Sequence, residues 1–184
     1  MNGRLTTCLQ NGVLVLKEPT KPYPVGSENA PVVLMWRKTS SNEDDLPMKI
    51  NFWAQSESRQ TVVTVEVDLV NKDFTLHNVY IHFPTKTSEK PSVKTPGDVN
   101  YSFNARDKSF TWNIDELSAD KSQAEIEFSI PEVDPETFYP ITVSFVCSQL
   151  YSNVVVQSVK DVQSSADKEF AFTAQLSAGS YTIV

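Results

Sequence analysis

Residues 61–69 read Thr61-Val62-Val63-Thr64-Val65-Glu66-Val67-Asp68-Leu69, the most regular stretch of the chain. One side of this extended segment is apolar and the other is polar, with Val63, Val65, Val67 and Leu69 opposed to Thr64, Glu66 and Asp68. Alternation with a period of two is typical of a strand with one buried and one solvated face. The stretch therefore predicts a half-buried β-strand, and it sets the expectation for the rest of the chain.

The same alternation recurs in three further runs, which are centred on Ile81, Phe128 and Val143. Two more apolar runs are also predicted to be strands, namely Val154 to Val159 and Phe170 to Leu176. Eleven prolines lie largely between these runs, where a missing backbone donor does little harm to a sheet. The repeated pattern predicts a chain built from many short strands.

Turn signals separate the predicted strands. Asn11-Gly12 predicts a hairpin whose return strand is Val13 to Leu16. Only the segment from Asp115 to Ser122 suggests a single helical turn, because no segment keeps a period of 3.6 over three turns. Short strands with regular turns between them predict an all-β fold, an antiparallel β-sandwich.

Two polar connections divide the chain. Residues 39–45 are acidic, and residues 131–140 are rich in proline. A block bracketed by two such connections is typical of an inserted subdomain. The sequence therefore predicts a subdomain A made of residues 1–41 and 140–184, with an inserted subdomain B over residues 42–139.

Charge and composition exclude several classes of protein. The 184 residues include 16 Lys and Arg against 23 Asp and Glu, which gives a formal net charge of −7. Such a field does not attract nucleic acid or anionic lipid, so neither is expected as a partner. No apolar run approaches the roughly 20 residues of a membrane span, and the first residues do not form a secretory signal. Cys8 and Cys147 are therefore expected as free thiols, although one disulfide between them stays open.

Residues that commonly carry catalysis are sparse. His77 and His82 are five positions apart, which places them on opposite faces of one continuous strand. No metal-binding, phosphate-binding or nucleophile motif is present. Glu125 and Glu127 share a strand face, but a solvated outer face is favoured over an acid–base pair. The sequence predicts no catalytic residue, no metal site and no cofactor.

Aromatic and cationic residues offer the candidates for binding. Trp36, Trp53 and Trp112 lie in strand-like runs, so core packing is expected for all three, with a partner groove as the alternative. Residues 86–108 hold five cations against three carboxylates in an otherwise acidic chain. These cations are candidate contacts for an acidic peptide, with an ordinary solvated surface as the alternative: Lys86, Lys90, Lys94, Arg106 and Lys108.

Several short motifs follow one another in a familiar order. They are Leu34-Met35-Trp36-Arg37, Leu46 to Trp53, Leu76 to Pro84, Phe110-Thr111-Trp112 and Phe138 to Phe145. No single motif is specific, but their order and spacing cover nearly the whole chain. The chain resembles the mu-homology domains of coatomer delta subunits, which are related to the medium chains of clathrin adaptors.

The resemblance implies an elongated, immunoglobulin-like sandwich of two subdomains. It also implies a non-enzymatic part of the COPI vesicle coat that acts in Golgi-to-ER retrograde transport. The implied partners are the other coatomer subunits and tryptophan-containing acidic peptides of tethering or Arf GTPase-activating proteins. The implied location is cytoplasmic, peripheral on Golgi membranes and COPI-coated vesicles, with membrane association through the coat only.

Two departures from the family pattern qualify these expectations. Family members carry further strands upstream of Leu5, so residues 1–184 are expected to form a partial mu-homology domain with an uncovered sheet edge. Clathrin-adaptor medium chains read tyrosine-based sorting signals with a Trp-x-Arg, and Phe170-Ala171-Phe172-Thr173-Ala174 has neither residue. That activity is not expected here. The alternative function is another cytosolic mu-homology cargo adaptor or scaffold of endocytic or clathrin-adaptor type, and an enzyme or carbohydrate-binding sandwich is least favoured.

Overall fold

The computed structural model describes residues 5–8, 12–16, 18, 20, 32–36, 39–40, 42, 45–152, 154–178 and 181–183, with the side chains of residues 5–8, 16 and 181 left out. Its strands are β1 (Leu5–Cys8), β2 (Val13–Leu16), β3 (Met48–Glu57), β4 (Gln60–Leu69), β5 (Leu76–Pro84), β6 (Ser92–Val93), β7 (Tyr101–Asn104), β8 (Ser109–Leu117), β9 (Gln123–Pro131), β10 (Ile141–Cys147), β11 (Val159–Lys160), β12 (Asp167–Lys168), β13 (Leu176–Ser177) and β14 (Tyr181–Ile183). The 3-10 helix Pro135–Phe138 precedes β10.

The chain divides into two compact units. The first comprises Met1–Ser41 with Gln157–Phe170, and it contains the β1–β2 hairpin and the β11–β12 hairpin. The predicted hairpin at Gly12 is confirmed, because Cys8 pairs with Val13 and Gly12 has a φ of 67°. The second unit comprises Asn42–Val156 with Ala171–Val184, and it contains two larger sheets. The partition into subdomains at residues 42–139 stays a prediction.

The first large sheet has four antiparallel strands in the order β3-β4-β9-β6. β4 lies in its middle and shows the alternation expected from the sequence: Val63, Val65, Val67 and Leu69 are buried, while the residues between them are only partly covered. A two-residue turn joins β3 to β4, with Ser58 and Arg59 both at positive φ. Such a turn follows the twist of the two strands and fixes their register.

The second large sheet follows the order β13-β10-β5-β8-β7, and β14 pairs beside β13 on β10. β5 lies in its middle and is irregular at Asn78, which has a φ of 50°, so that its register with β10 shifts by one residue. His77 and His82 consequently pair with Val146 and Thr142, which both lie on the outer face of β10. The expectation that the two histidines point to opposite faces is wrong, because the strand is not continuous in its alternation.

The inner faces of the two sheets meet in one hydrophobic core. Phe128 of β9 stacks on Phe110 of β8, with 4.5 Å between ring centroids, and lies 6.3 Å from Phe83 of β5. The core also holds Trp112, which is 3% exposed. Burial of these rings removes a large apolar area from water and is the main stabilising contribution of the sandwich. The predicted all-β antiparallel sandwich is confirmed.

Three local predictions are wrong. Residues 154–158 are irregular and residues 170–175 are irregular, leaving only the two-residue strands β11 and β13 where longer strands were expected. Apolar residues favour strands only when a neighbouring strand and a core are available to them. The segment from Asp115 to Ser122 ends β8 and enters a turn rather than a helix.

Candidate functional site

Three of the five candidate cations lie at the same end of the second sheet. Pro84 pairs with Ser109 at the end of β5, and Asn104 pairs with the same residue at the end of β7. The Thr85 backbone N–H donates to the Lys108 carbonyl oxygen at 2.8 Å. These pairings bring together the backbones of three cationic residues, which we call the cationic turn cluster: Lys86, Arg106 and Lys108.

The backbone of this cluster is held by local hydrogen bonds. The Asn104 Oδ1 accepts from the backbone N–H groups of Arg106 at 3.0 Å and Asp107 at 3.1 Å. Lys86 and Lys108 both adopt positive φ, at 54° and 50°, which turns the chain sharply at each position. All three cationic side chains are exposed, so their charges are available to a ligand. Asp107 lies between Arg106 and Lys108 in the sequence and carries a negative charge, so the cluster is not uniformly basic.

The other two candidates lie elsewhere. Lys90 is exposed in the connection between β5 and β6. Lys94 follows β6 on the first sheet, where its Nζ is 3.5 Å from the Glu127 Oε1 and its backbone N–H donates to the Glu127 carbonyl oxygen. An exposed ion pair of this kind contributes about 0–1 kcal/mol. The five cations thus form one group of three and two separate residues, and their role in binding stays a prediction.

A shallow depression lies on the outer face of the first sheet. Its volume is about 340 Å³, and we call it the Trp53 depression after its largest lining residue; it is lined by Trp53, Gln55, Val62, Thr64 and Glu66. Trp53 is 45% exposed and Trp36 is 48% exposed, so the expectation of core packing is wrong for both. Trp112 confirms it. The alternation of residues in β3 could have indicated that Trp53 is exposed. Ile50, Phe52 and Ala54 face the core, and Trp53 lies between two of them on the opposite face.

A second depression, of about 480 Å³, is lined by Asn71, Asp73, Phe74, Gln149, Leu150 and Tyr151. The Tyr151 ring meets Phe74 edge-on, with 4.8 Å between centroids. Burial raises the pKa of Tyr151 from 10.0 to about 12, and the negative charges of Asp45 and of an ionised Cys147 add to the shift. A phenol with these surroundings stays neutral in conditions that ionise an ordinary tyrosine.

Replacing Tyr151 by phenylalanine tests this environment. Because the folded state holds the phenolic proton more tightly than the unfolded state, the stabilisation from the neutral phenol is complete below pH 10 and is lost as the pH rises towards about 12. We expect an ultraviolet absorbance titration to lose a component near pH 12 in Tyr151→Phe. Loss of a component near pH 10 instead would contradict the assigned burial.

The titratable groups do not assemble into a recognisable catalytic arrangement in the part of the chain that the structure describes. His77 Nδ1 lies 3.8 Å from Glu116 Oε2, and His82 Nδ1 lies 2.9 Å from Thr111 Oγ1. Cys147 is a free, buried thiol whose pKa is raised chiefly by burial. Among the described residues, no three His, Cys, Asp or Glu side chains form a group suited to a metal ion, and no helix is long and apolar enough to cross a membrane.

Comparison with known sequences adds an independent line of evidence. The profile of the adaptor complexes medium subunit family matches residues 10–184. Coatomer subunit delta-1 of Oryza sativa subsp. japonica is 30% identical over 94% of this chain and 32% of its own length. The probable coatomer subunit delta of Caenorhabditis elegans is 32% identical over 81% of this chain and 28% of its own length. The chain spans about a third of the length of these two relatives.

Solved structures with the same fold are also known. The yeast delta-COP-I mu-homology domain matches with a TM-score of 0.55 and 22% identity, over 78% of this chain and 57% of that one. The same yeast domain complexed with a Dsl1 WxWxV peptide matches with a TM-score of 0.59 and 17% identity, over 78% of this chain and 59% of that one. At this level of identity the likeness concerns the fold alone.

Proposed function

This chain belongs to the adaptor complexes medium subunit family, and from that premise we propose that it is a non-enzymatic, peptide-binding module of a COPI-type vesicle coat. Its ligands are short peptides that combine tryptophan with acidic residues. They belong to tethering proteins or Arf GTPase-activating proteins that act in Golgi-to-ER retrograde transport. Its other partners are the remaining coatomer subunits, and it reaches Golgi membranes and vesicles from the cytoplasm through the coat.

Relatives support the coat assignment. Coatomer delta subunits match over nearly the whole chain, and the yeast delta domain of the same fold was solved with a tryptophan-containing peptide. Among the residues of this chain, the observation that carries the proposal is the cationic turn cluster. Three cations are gathered at one sheet end in a protein whose net charge is −7. Because the protein as a whole is negatively charged, it does not attract acidic ligands in general. A local group of cations can still bind an acidic ligand at that one place on the surface.

Two aromatic residues that pack against the core but remain partly exposed lie beside the cluster. β7 leads into the turn, forms an edge of the second sheet and carries the half-buried Tyr101 and Phe103. The Tyr101 ring stacks on Phe110 with 5.2 Å between centroids. A peptide indole packed against β7 would place its neighbouring carboxylates within reach of Arg106 and Lys108. Aromatic and arginine side chains together are the usual anchors of protein interfaces.

Isothermal titration with an acidic peptide containing Trp-x-Trp tests this proposal. We expect saturable binding that weakens with added salt and disappears when both peptide indoles are replaced by alanine. The double variant Lys86→Glu/Lys108→Glu should bind roughly tenfold more weakly or worse, because charge reversal repels the peptide carboxylates. The matched control is Lys49→Glu/Lys121→Glu, which makes the same change in net charge on β3 and in the β8–β9 connection.

Two results would contradict the proposal. A folded chain that does not bind the peptide at low salt would remove the peptide-binding function itself. Equal loss of affinity in the cluster variant and in the control would show that overall charge decides binding, and would leave the cationic turn cluster without a role. Thermal denaturation of each variant, checked beforehand, separates loss of binding from loss of folding.

A further inference from the structure

The edge strand β3 is long and open. It pairs with β4 along all ten of its residues, and among the described strands it has no neighbour on its other side. An uncovered edge of this length presents a row of backbone donors and acceptors to which another strand can add. In the first sheet this edge contrasts with β6, which is only two residues long.

The two-residue turn indicates which backbone groups are open. Glu57 and Gln60 flank it and are therefore a hydrogen-bonded pair, after which hydrogen-bonded and non-hydrogen-bonded pairs alternate along β3. The N–H and C=O groups that point away from β4 then belong to Ile50, Phe52 and Ala54, whose side chains face the core. An added strand would form hydrogen bonds with these groups. Alternate side chains of that strand would then lie on the outer face of the sheet, beside Trp53.

The Trp53 depression adjoins this open edge. Trp53 pairs with Thr64, and Gln55 pairs with Val62, so the depression extends from the edge strand onto β4. Its volume of about 340 Å³ is at the lower end of the range for ligand sites and suits one apolar side chain. The half-exposed indole provides a flat apolar wall for that side chain.

Charge decides what kind of strand fits. The outer face of β3, β4 and β9 carries five carboxylates and one lysine: Glu57, Glu66, Asp68, Glu125, Glu127 and Lys49. Glu66 and Glu125 are direct cross-strand neighbours, and within the described residues neither has an ion-pair partner. Like charges in this position destabilise a sheet, so an incoming cation would relieve the repulsion.

We propose that β3 receives an extended, basic segment of a partner protein as an additional strand. An apolar side chain of the segment occupies the Trp53 depression, and an arginine or lysine two positions away reaches over Asn51 to Glu66. The span from the added strand to β4 is two strand spacings, about 10 Å, which the two long side chains cover together. A second copy of the chain is a poor occupant, because it would bring two acidic faces together.

The ligand differs from that of the proposed function in sign and in place. The cationic turn cluster lies at the end of the second sheet and selects carboxylates, whereas β3 belongs to the first sheet and selects cations. Two surfaces of opposite preference allow the module to hold two segments at once. If the binding test fails at one of these two surfaces, the proposal for the other surface is unaffected.

The probe is the palindromic peptide Thr-Arg-Thr-Leu-Thr-Arg-Thr, which presents arginine and leucine on one face in either strand direction. We expect saturable binding to the 184-residue chain by calorimetry, and NMR shifts in the backbone amides of Ile50, Phe52 and Ala54. The peptide with glutamate in place of arginine should not bind. Ala54→Pro should abolish binding, because proline removes an open donor and obstructs the edge while sparing the pairing with β4.

Two further variants keep the test decisive if Ala54→Pro does not fold. Glu66→Lys should weaken binding roughly tenfold, whereas the matched control Glu116→Lys on the second sheet should leave it unchanged. Trp53→Ala should weaken binding without loss of folding, since the side chain is half exposed. Affinity unaffected by Glu66→Lys and Trp53→Ala, equal loss in Glu116→Lys, or sedimentation showing that two copies pair through β3 would each overturn the proposal.

Discussion

Replacing Phe128 by alanine should lower the free energy of unfolding by about 3–5 kcal/mol. Phe128 is fully buried, and its ring stacks on Phe110 at 4.5 Å and lies near Phe83 and Phe138. Together with Phe52 of β3, it brings the first sheet into a group of rings from both sheets. Removing it takes away apolar burial and leaves a cavity that rigid neighbouring rings cannot fill. Because small domains are stable by only about 5–15 kcal/mol, the loss is a large fraction of the total.

Urea denaturation followed by circular dichroism measures this change. The matched control is Tyr80→Ala, an aromatic truncation on β5 at a residue that is 42% exposed, for which we expect a loss of about 1 kcal/mol or less. A similar loss in both variants would contradict the sandwich core as described. A variant of Phe128 that loses its cooperative transition altogether would agree with it.

Two tryptophans offer a comparison in which the chemistry of the change is identical. Trp112→Ala should cost about 3–5 kcal/mol, because the indole is 3% exposed between the two sheets. Trp53→Ala should cost about 1 kcal/mol or less, because the indole is 45% exposed on the outer face of the first sheet. The difference follows from burial alone.

Fluorescence separates the two residues as well. The emission lost in Trp53→Ala should be the long-wavelength component of a solvated indole, and the emission lost in Trp112→Ala should be the short-wavelength component of a buried one. Equal destabilisation by the two changes would show that Trp53 is covered in solution. It would also remove the depression on which the β3 proposal depends.

Strands with one buried face were predictable because their sequences record that burial directly. Val63, Val65 and Val67 are buried in β4, as their alternation indicates, and β9 and β10 follow the same rule. Core packing was the wrong expectation for Trp53, because its position in the alternation of β3, and not its apolar side chain, determines which face it lies on. Ile50, Phe52 and Ala54 define the inner face of β3, and a residue between them belongs outside.

Irregular positions were not predictable in the same way. Asn78 adopts positive φ inside β5, and no pattern of apolar residues indicates where a strand will be interrupted. This single irregularity places both histidines on the outer face. Val154, Val155 and Val156 are strongly β-forming residues that were predicted to lie in a strand. They are irregular and exposed, and none of the described strands pairs with them.

The candidate site was only partly predictable, because neighbours in sequence are divided between two sheets. The chain leaves the second sheet after β5, adds β6 to the first sheet, and returns to the second sheet as β7. Lys86 and Arg106 therefore come together while Lys94, between them in sequence, lies on the other sheet. The resemblance to coatomer delta subunits, which rested on motif order rather than on any one site, is confirmed by the family profile and by the relatives.

Strand order also bears on how the sandwich forms. β3 and β4 are joined by two residues, so their pairing closes almost no loop and hairpins of this kind form within about 1–10 μs. β4 and β9 pair Val65 with Ile126, and β5 and β10 pair Ile81 with Val143, so the chain entropy of long loops must be lost before these contacts are gained. The β3–β4 hairpin is thus the least costly starting point for folding. The edge of β4 that later pairs with β9 is exposed for as long as that distant strand takes to arrive.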